Sequence, residues 1–344
     1  MKPGIHVLVA RLDNQGDVLL AGPAVRAAAA GADRVTFLCR PSSEPVARML
    51  PGVDDVVTFE APWVPADPPP CDSPAVLRLV GRLASLEVDD ALVLTSYHQS
   101  PLPLALLLRM ARVRTVAGIS ADYPGSLLDV RHEVAEDRHE VERNLSLAAT
   151  LGYRLPAGDD GRLRIVRRTP AVLPPDVPES PFVVVHPGAS VPARAWAPER
   201  NAELVRALAA AGWPVVVTGG GGEAPLCAEV AGDDGVDLSG RTDVGGLADL
   251  LARAAAVVVG NTGPAHLAAA VGTPVVSLYA PTVPAVRWRP WRVPHELLGL
   301  QDIECAGCRN RVCPLPRQTC LDGVPVPSVV AAVDRLAAGR LVPA

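Results

Sequence analysis

The chain has a single lysine, Lys2; every other Lys-or-Arg position in its 344 residues is arginine. Beside so much alanine, glycine and proline this reads as genomic base composition. Any phosphate contact then falls to the bidentate guanidinium fork. Aromatic residues are scarce at 3%, which leaves no stacking platform for nucleobases, and a net charge of −5 is spread without blocks. These two shortages argue against a nucleic-acid partner and against long-range attraction to anionic lipid. No apolar run reaches transmembrane length; LPLALLLRM at 102–110 is about half the ~20 residues needed. The start, MKPGIHVLVA, carries one charge and a short apolar run, unlike a secretory signal. A cytoplasmic protein with at most peripheral membrane contact is the expectation. A GxGxxG dinucleotide fingerprint is also missing.

Seven cysteines is an odd number, unsuited to a secreted disulfide scaffold. Cys39, Cys71 and Cys227 stand alone, while Cys305, Cys308, Cys313 and Cys320 cluster with spacing C-x2-C-x4-C-x6-C. Four thiolates in so short a segment could hold a structural zinc or an iron–sulfur cluster. The spacing matches neither a paired zinc knuckle nor a ferredoxin run, and disulfides or free thiols fit the same residues.

What is present in quantity is alternation. IHVLVA (5–10), RVTFLC (34–39), DVVTFE (55–60), ALVLTS (91–96) and RTVAG (114–118) read as continuous apolar strands. Helical spacing separates them at 18–30, 42–50, 76–86 and 102–110, and a further helix follows at 141–152. This is the pattern of a parallel sheet covered by helices. Residues 154–181, rich in proline and charge, read as a linker. The alternation then restarts, with strands at 182–188, 213–222, 235–238, 256–260 and 274–280, and helices at 199–210, 223–231, 246–254 and 263–271. PVPSVVAAVDRLAAG (325–339) closes as an amphipathic helix. The expected fold is α/β with two doubly wound lobes and a cleft between them: domains at 1–160 and 176–324, and a C-terminal segment, 325–344, whose helix packs back on the first lobe.

The strand-to-helix junctions carry the chemistry. In RLDNQGDVLLAGP (11–23), Asp17 is a helix cap or a general base, and Asp13 and Asn14 are turn residues or acceptor contacts. In HPGASVPARAW (186–196), the turn around Ser190 suits an anion and Arg194 follows. TGGGGE (218–223) allows close backbone approach to a ligand, with Glu223 placed to accept from ribose hydroxyls. In GNTGPAHLAAAVGTPVVSLYAPT (260–282), Thr262 or Gly263 caps a helix, Pro264 suits its first position and His266 lies in its first turn. Such an end is an ordinary cap or a phosphate site. Tyr97, His98 and Gln99 follow a strand of the first lobe, and His132, His139 and Arg143 are further polar candidates.

These motifs, with LSGRTDVGGLADLLARA (238–254), taken in their order and spacing, are similar to the family of ADP-heptose:lipopolysaccharide heptosyltransferases, glycosyltransferase family 9. The resemblance runs from about residue 5 to 282. It implies a GT-B fold of two Rossmann-like lobes, acceptor in the first and nucleotide sugar in the second. It implies inverting transfer of a sugar, a heptose among the candidates, from an ADP-linked donor to a hydroxyl of a glycan or small-molecule acceptor in cell-envelope biosynthesis. Asp17 is then the general base, with Asp13, Asn14, Tyr97, His98 and Gln99 toward the acceptor. Ser190 and Arg194 meet the phosphates and Glu223 the ribose; Arg241 and Thr242 lie by the base. Asn261, Thr262, Gly263, Pro264 and His266 hold the diphosphate, with Asn261 where relatives often carry Asp. No catalytic metal or other cofactor is implied, in keeping with the lack of an Asp-x-Asp pair. A nucleotide-sugar epimerase or hydrolase, or a non-catalytic nucleotide-sugar-binding protein, is the alternative.

Overall fold

The structure is a computed structural model that describes residues 4–134, 137–167 and 171–341. The chain divides into two compact units, residues 1–166 and 167–344. In the first, β1 (His6–Ala10), α1 (Gln15–Ala29), β2 (Arg34–Cys39), α2 (Glu44–Ala47) and β3 (Asp55–Thr58) are followed by α3 (Ser73–Ser85) and β4 (Asp90–Val93). Then come α4 (Leu102–Met110), β5 (Thr115–Ile119), β6 (Val130–His132) and α5 (Glu140–Thr150). The strands form one sheet in the order β3-β2-β1-β4-β5-β6, and every pairing is parallel.

The second unit repeats the plan. It holds β7 (Val183–His186), α6 (Pro198–Ala210), β8 (Val215–Val217), α7 (Ala224–Ala231), β9 (Gly235–Asp237), α8 (Val244–Arg253) and β10 (Ala256–Gly260). It continues through α9 (Gly263–Ala270), β11 (Val275–Leu278), α10 (Ala285–Trp288), β12 (His295–Leu298), α11 (Thr319–Asp322) and α12 (Val326–Leu341). Its sheet, also all parallel, runs β12-β11-β10-β7-β8-β9.

Parallel strands buried on both faces need unbroken apolar sequence, and the central strands have it. Val7, Leu8 and Val9 of β1 and Val257, Val258 and Val259 of β10 are fully or almost fully buried. Helix starts follow local chemistry. Asp72 caps α3 by accepting from the Ala75 amide at 3.2 Å, and Asp243 caps α8 by accepting from Gly246 at 2.7 Å. Helix α1 starts at Gln15, earlier than its apolar spacing suggests, and runs through Pro23. Two short edge strands, β6 and β12, lie outside the expected set; both are only partly buried and lack a long apolar run.

The segment expected as a linker is tied down at both ends. Leu163 is buried and the Val166 amide donates to the Met49 carbonyl in the first unit. In the second, Asp249 accepts from Arg167 and from the Ala171 amide. Helix α12 packs its apolar side, Val326, Val329, Ala332, Val333 and Ala337, against α6 and β10–β12 of its own unit. Among the described residues, no helix is long and apolar enough to cross a membrane.

Arg26 of α1 clamps Asp159 through two bonds, at 2.6 and 2.9 Å, and both side chains are buried. The guanidinium holds the Asp159 carboxyl down at about 2, helped by the Gly161 amide and opposed by burial. A depressed carboxylate stabilises the fold above its unfolded value near 4 and loses that contribution as pH falls through about 2. Urea unfolding should therefore show wild type more stable than Asp159→Asn by about 1–2 kcal/mol at pH 6, with most of the difference gone at pH 2. At the end of β10, a Cβ on Gly260 would lie 2.8 Å from the Arg194 carbonyl oxygen. Gly260→Ala should then cost about 1–3 kcal/mol in thermal or urea unfolding.

Candidate active site

In a sheet with order 3-2-1-4-5-6 the chain winds outward in opposite directions from β1 and β4, which opens a crevice at their carboxyl ends. The turns after those two strands carry the first set of candidates, and they meet. The Gln99 side-chain amide donates to Asp13, and Gln99 also accepts from the Ser96 amide at 3.3 Å. Asn14 is the N-cap of α1, though its side chain accepts from Arg40 at 3.0 Å and caps nothing. Asp17 is thus not the cap. It lies in the first helical turn, where the helix dipole favours a carboxylate.

Arg11, which the sequence reading passed over, organises this region. Its side chain is fully buried and reaches three carboxylates: Asp13 at 2.6 Å, Glu140 at 2.8 Å and Asp17 at 3.1 Å. Burial alone would lower the guanidinium, but Asp13, Glu140 and Asp17 together hold it above its ordinary value. Burial pushes the Asp13 carboxyl up against the pull of Arg11, and the Asp17 charge adds to the rise. Glu140 also meets Arg143, whose guanidinium donates to the Thr95 carbonyl and lies 4.4 Å over the Tyr97 ring. Tyr97 is anchored in turn: its hydroxyl accepts from the Arg138 amide at 3.0 Å and donates to the Arg138 carbonyl at 2.5 Å. His98 is exposed on the same turn.

Two of the further candidates have structural work. His139 is the N-cap of α5: its Nδ1 accepts from the Val141 amide, and Glu142 completes a capping box. His132 pairs with Ser146 at 3.0 Å; burial, then Arg138 and Arg143, lowers its imidazole.

In the second unit the winding reverses between β7 and β10, and the turns after them converge in the same way. Arg194 follows β7; its Nε donates to the Thr282 hydroxyl at 3.3 Å, and its backbone presses on Gly260 at the end of β10. Trp196 is buried and donates to the Leu321 carbonyl at 3.1 Å. Thr262 is the N-cap of α9, with Gly263 and Pro264 opening the helix and His266 buried in its first turn. Asn261 is buried and donates from Nδ2 to the Tyr279 hydroxyl at 3.2 Å. That hydroxyl donates onward to the Pro284 carbonyl at 3.4 Å, which also accepts from the Arg287 amide. Burial raises the Tyr279 hydroxyl, opposed by the charges of Arg194 and Arg287. Both guanidinium groups therefore sit in its neighbourhood. Tyr279, Thr282 and Arg287 were not singled out from sequence, because only the return of β11 beside β10 brings them to Asn261.

Glu223 accepts from the Gly220 amide at 2.7 Å and packs so closely on Gly188 that a Cβ there would fall 1.9 Å from its Oε1. A Cβ at 188 would push the Glu223 carboxylate out of this position. Beneath, His186 shares a 3.0 Å bond with Thr218, and burial lowers its imidazole against the opposing pull of Glu223. The turn holding Arg241 and Thr242 adjoins the glycine run, with the Gly240 amide donating to the Gly219 carbonyl at 2.9 Å. Arg241 itself is in a bidentate pair with Asp176. Ser190 is exposed beside Arg194's turn.

The cysteine cluster is open in sequence to zinc, an iron–sulfur cluster, disulfides or free thiols. Among the described residues, no group of three or more His, Cys, Asp or Glu side chains is arranged to hold a metal ion. Cys305 and Cys308 are exposed, Cys313 and Cys320 half-buried, and all four are free thiols. Burial, with Cys305 and Cys313 nearby, pushes the Cys320 thiol up. Sequence spacing brings the four near one another, but the irregular loop between β12 and α11 does not shape them into a tetrahedral set.

Comparison with known proteins agrees with this geometry. The family described as glycosyltransferase family 9 (heptosyltransferase) matches residues 76–318. Lipopolysaccharide heptosyltransferase 1 of Pseudomonas aeruginosa is 32% identical over 237 residues, covering 66% of this chain and 64% of that protein. Lipopolysaccharide heptosyltransferase 3 of Escherichia coli K12 is 30% identical over 170 residues, covering 44% and 47%. The matched chain thus spans about two thirds or less of these relatives' length. A family 9 glycosyl transferase from Veillonella parvula superposes with a TM-score of 0.76 at 16% identity, covering 97% of both chains. The ADP-heptose lipopolysaccharide heptosyltransferase II of E. coli superposes with a TM-score of 0.74 at 20% identity, covering 98% of this chain and 100% of that one. At such identities the superpositions speak for the fold, which is the GT-B pair of Rossmann-like units. With the family match extending over well more than half of its length, the chain belongs to glycosyltransferase family 9, the heptosyltransferase family.

Proposed function

We propose that this protein is an inverting glycosyltransferase. It moves a sugar of the heptose class from an ADP-linked donor to a hydroxyl of a glycan or small-molecule acceptor. The observation that carries the reading is Asp17: a carboxylate at the switch point of the first sheet, in the first turn of α1, partly open to solvent and held by Arg11. A general base must be oriented and reachable, and this carboxylate meets both needs. Asp13, Asn14, Tyr97, His98 and Gln99 lie on the same or the adjoining turn and face the acceptor.

The reaction is a single displacement. The acceptor oxygen attacks the anomeric carbon, the bond from that carbon to the phosphate oxygen breaks, and the hydroxyl proton passes to Asp17. Negative charge develops on the departing diphosphate. Arg194, the positive end of the α9 dipole and His266 meet it, and preorganised groups aimed at developing charge supply the main catalytic term. Asn261 adds no negative charge beside the diphosphate, and its side-chain amide is committed to Tyr279. Glu223 takes the ribose hydroxyls, and the turn at Arg241 and Thr242 lies toward the base. The glycan products of such a reaction belong to the cell envelope, and catalysis takes place in the cytoplasm.

Asp17→Asn should lower kcat with ADP-heptose by at least ~100-fold while leaving ADP affinity by calorimetry unchanged, since loss of a general base costs roughly 100- to 10,000-fold. Full transfer by that variant contradicts the assignment. Arg194→Ala should weaken ADP binding and lower kcat by ~100- to 1,000-fold; an unaltered ADP affinity would remove Arg194 from the diphosphate site.

A further inference from the structure

A heavily charged buried cluster surrounds Arg11, and catalysis by Asp17 alone does not account for it. Two guanidinium groups, Arg11 and Arg143, face three carboxylates, Asp13, Asp17 and Glu140. Burying such a set is costly, and an apolar turn would fold at least as well. Its geometry is that of a clamp. Arg11 donates from Nη1 to Glu140 and from Nη2 to Asp17, and its Nε lies 2.6 Å from Asp13 as an ion pair without a hydrogen bond. The side chains of Arg11 and Glu140 are fully buried and that of Asp13 is 7% exposed, while Asp17 is 21% exposed. Three members are therefore fixed inside, and the fourth is presented outward. Glu140 comes from α5, 129 residues away in sequence, and Arg143 braces it from the next turn of that helix. Gln99 holds Asp13 from the turn after β4. Thus β1, α1, α5 and the β4 turn all contribute to the aim of one carboxylate.

We propose that Arg11 is a positioning residue for Asp17, fixing the carboxylate's orientation and setting the pH range in which it accepts a proton, with Glu140 as the counter-anchor that holds Arg11 in place. This rests on the reading of Asp17 as the base. Arg11 of the β1 turn pairs with Asp17 and with Asp13, while from α5 Glu140 pairs with Arg11 and Arg143 pairs with Glu140; His139 accepts from the Val141 amide at the cap of the same helix. Removing Arg11 takes a cation from beside the base and makes it harder to ionise. Removing the charge of Glu140 leaves the site one unit more positive and makes it easier. The two changes should move activity along the pH axis in opposite directions, which a purely structural role would not do.

The test is kcat and KM for transfer from ADP-heptose across pH 4–9, in the full chain, for wild type, Arg11→Lys, Arg11→Met and Glu140→Gln, with thermal unfolding and ADP calorimetry on each. Arg11→Met should shift the acidic limb up by about 1–2 pH units. Glu140→Gln should shift it down. Arg11→Lys should keep the limb close to wild type and lower kcat about tenfold with little change in KM, because an ammonium keeps the charge but lacks the three-way fork. If Arg11→Met does not fold, the Glu140→Gln shift and the Arg11→Lys split in kcat and KM decide. Limbs that stay at the wild-type position, with rate losses that follow thermal stability, overturn the inference. Asp17→Asn separates the two readings. If it is inactive while the limbs stay fixed, only the role of Arg11 fails; if it transfers sugar, the base assignment fails and this inference with it.

Discussion

When every strand of a sheet runs the same way, every strand-to-helix turn falls on one edge, and the chain cannot spread its polar turns elsewhere. Both six-stranded sheets of this protein obey that constraint without an antiparallel pair. The constraint is sharpest where the winding reverses, at β1 and β4 in the first unit and at β7 and β10 in the second. There two adjacent strands send their helices to opposite faces, and the edge opens. The contact of Asp13 with Gln99 bridges the first such opening. The close approach of Gly260 to the Arg194 backbone marks the second. The candidate groups gather because the topology leaves them this place.

The two edges are chemically opposite. On the first, a buried guanidinium gathers carboxylates and presents one of them outward, an arrangement suited to taking up a proton. On the second, the start of α9, Arg194 and His266 are the groups proposed to meet an anion that gains charge as it leaves. Asn261 belongs to that logic: a neutral side chain bonded to Tyr279 adds no repulsion.

The central strands are legible in sequence because a strand buried on both faces must be apolar throughout, as in HVLVA and AVVVG. The junction motifs are legible because caps, glycine runs and prolines report on local backbone. Strands β6 (VRH) and β12 (HELL) escape because they are short and carry charged residues in place of an apolar run. Arg11 and its partner Glu140 escape for another reason: they are 129 residues apart, and no local pattern announces that contact. His139 misleads in the opposite sense, since a histidine near a polar edge looks functional and proves to be a helix cap. The cysteine cluster shows that spacing alone does not make a ligand set; the loop must also fold the thiols around one point.

The account turns on one displacement at the anomeric carbon, with Asp17 receiving the proton and the nucleoside diphosphate departing. The most direct measurement is the identity and anomeric configuration of the product. ADP-heptose should be incubated with a panel of glycan and small-molecule acceptors, the products found by mass spectrometry and the new linkage assigned by NMR. The account predicts a heptosylated acceptor whose anomeric centre is inverted relative to the donor. A product that retains the donor configuration, or free heptose or an epimerised donor with no acceptor modified, would contradict it.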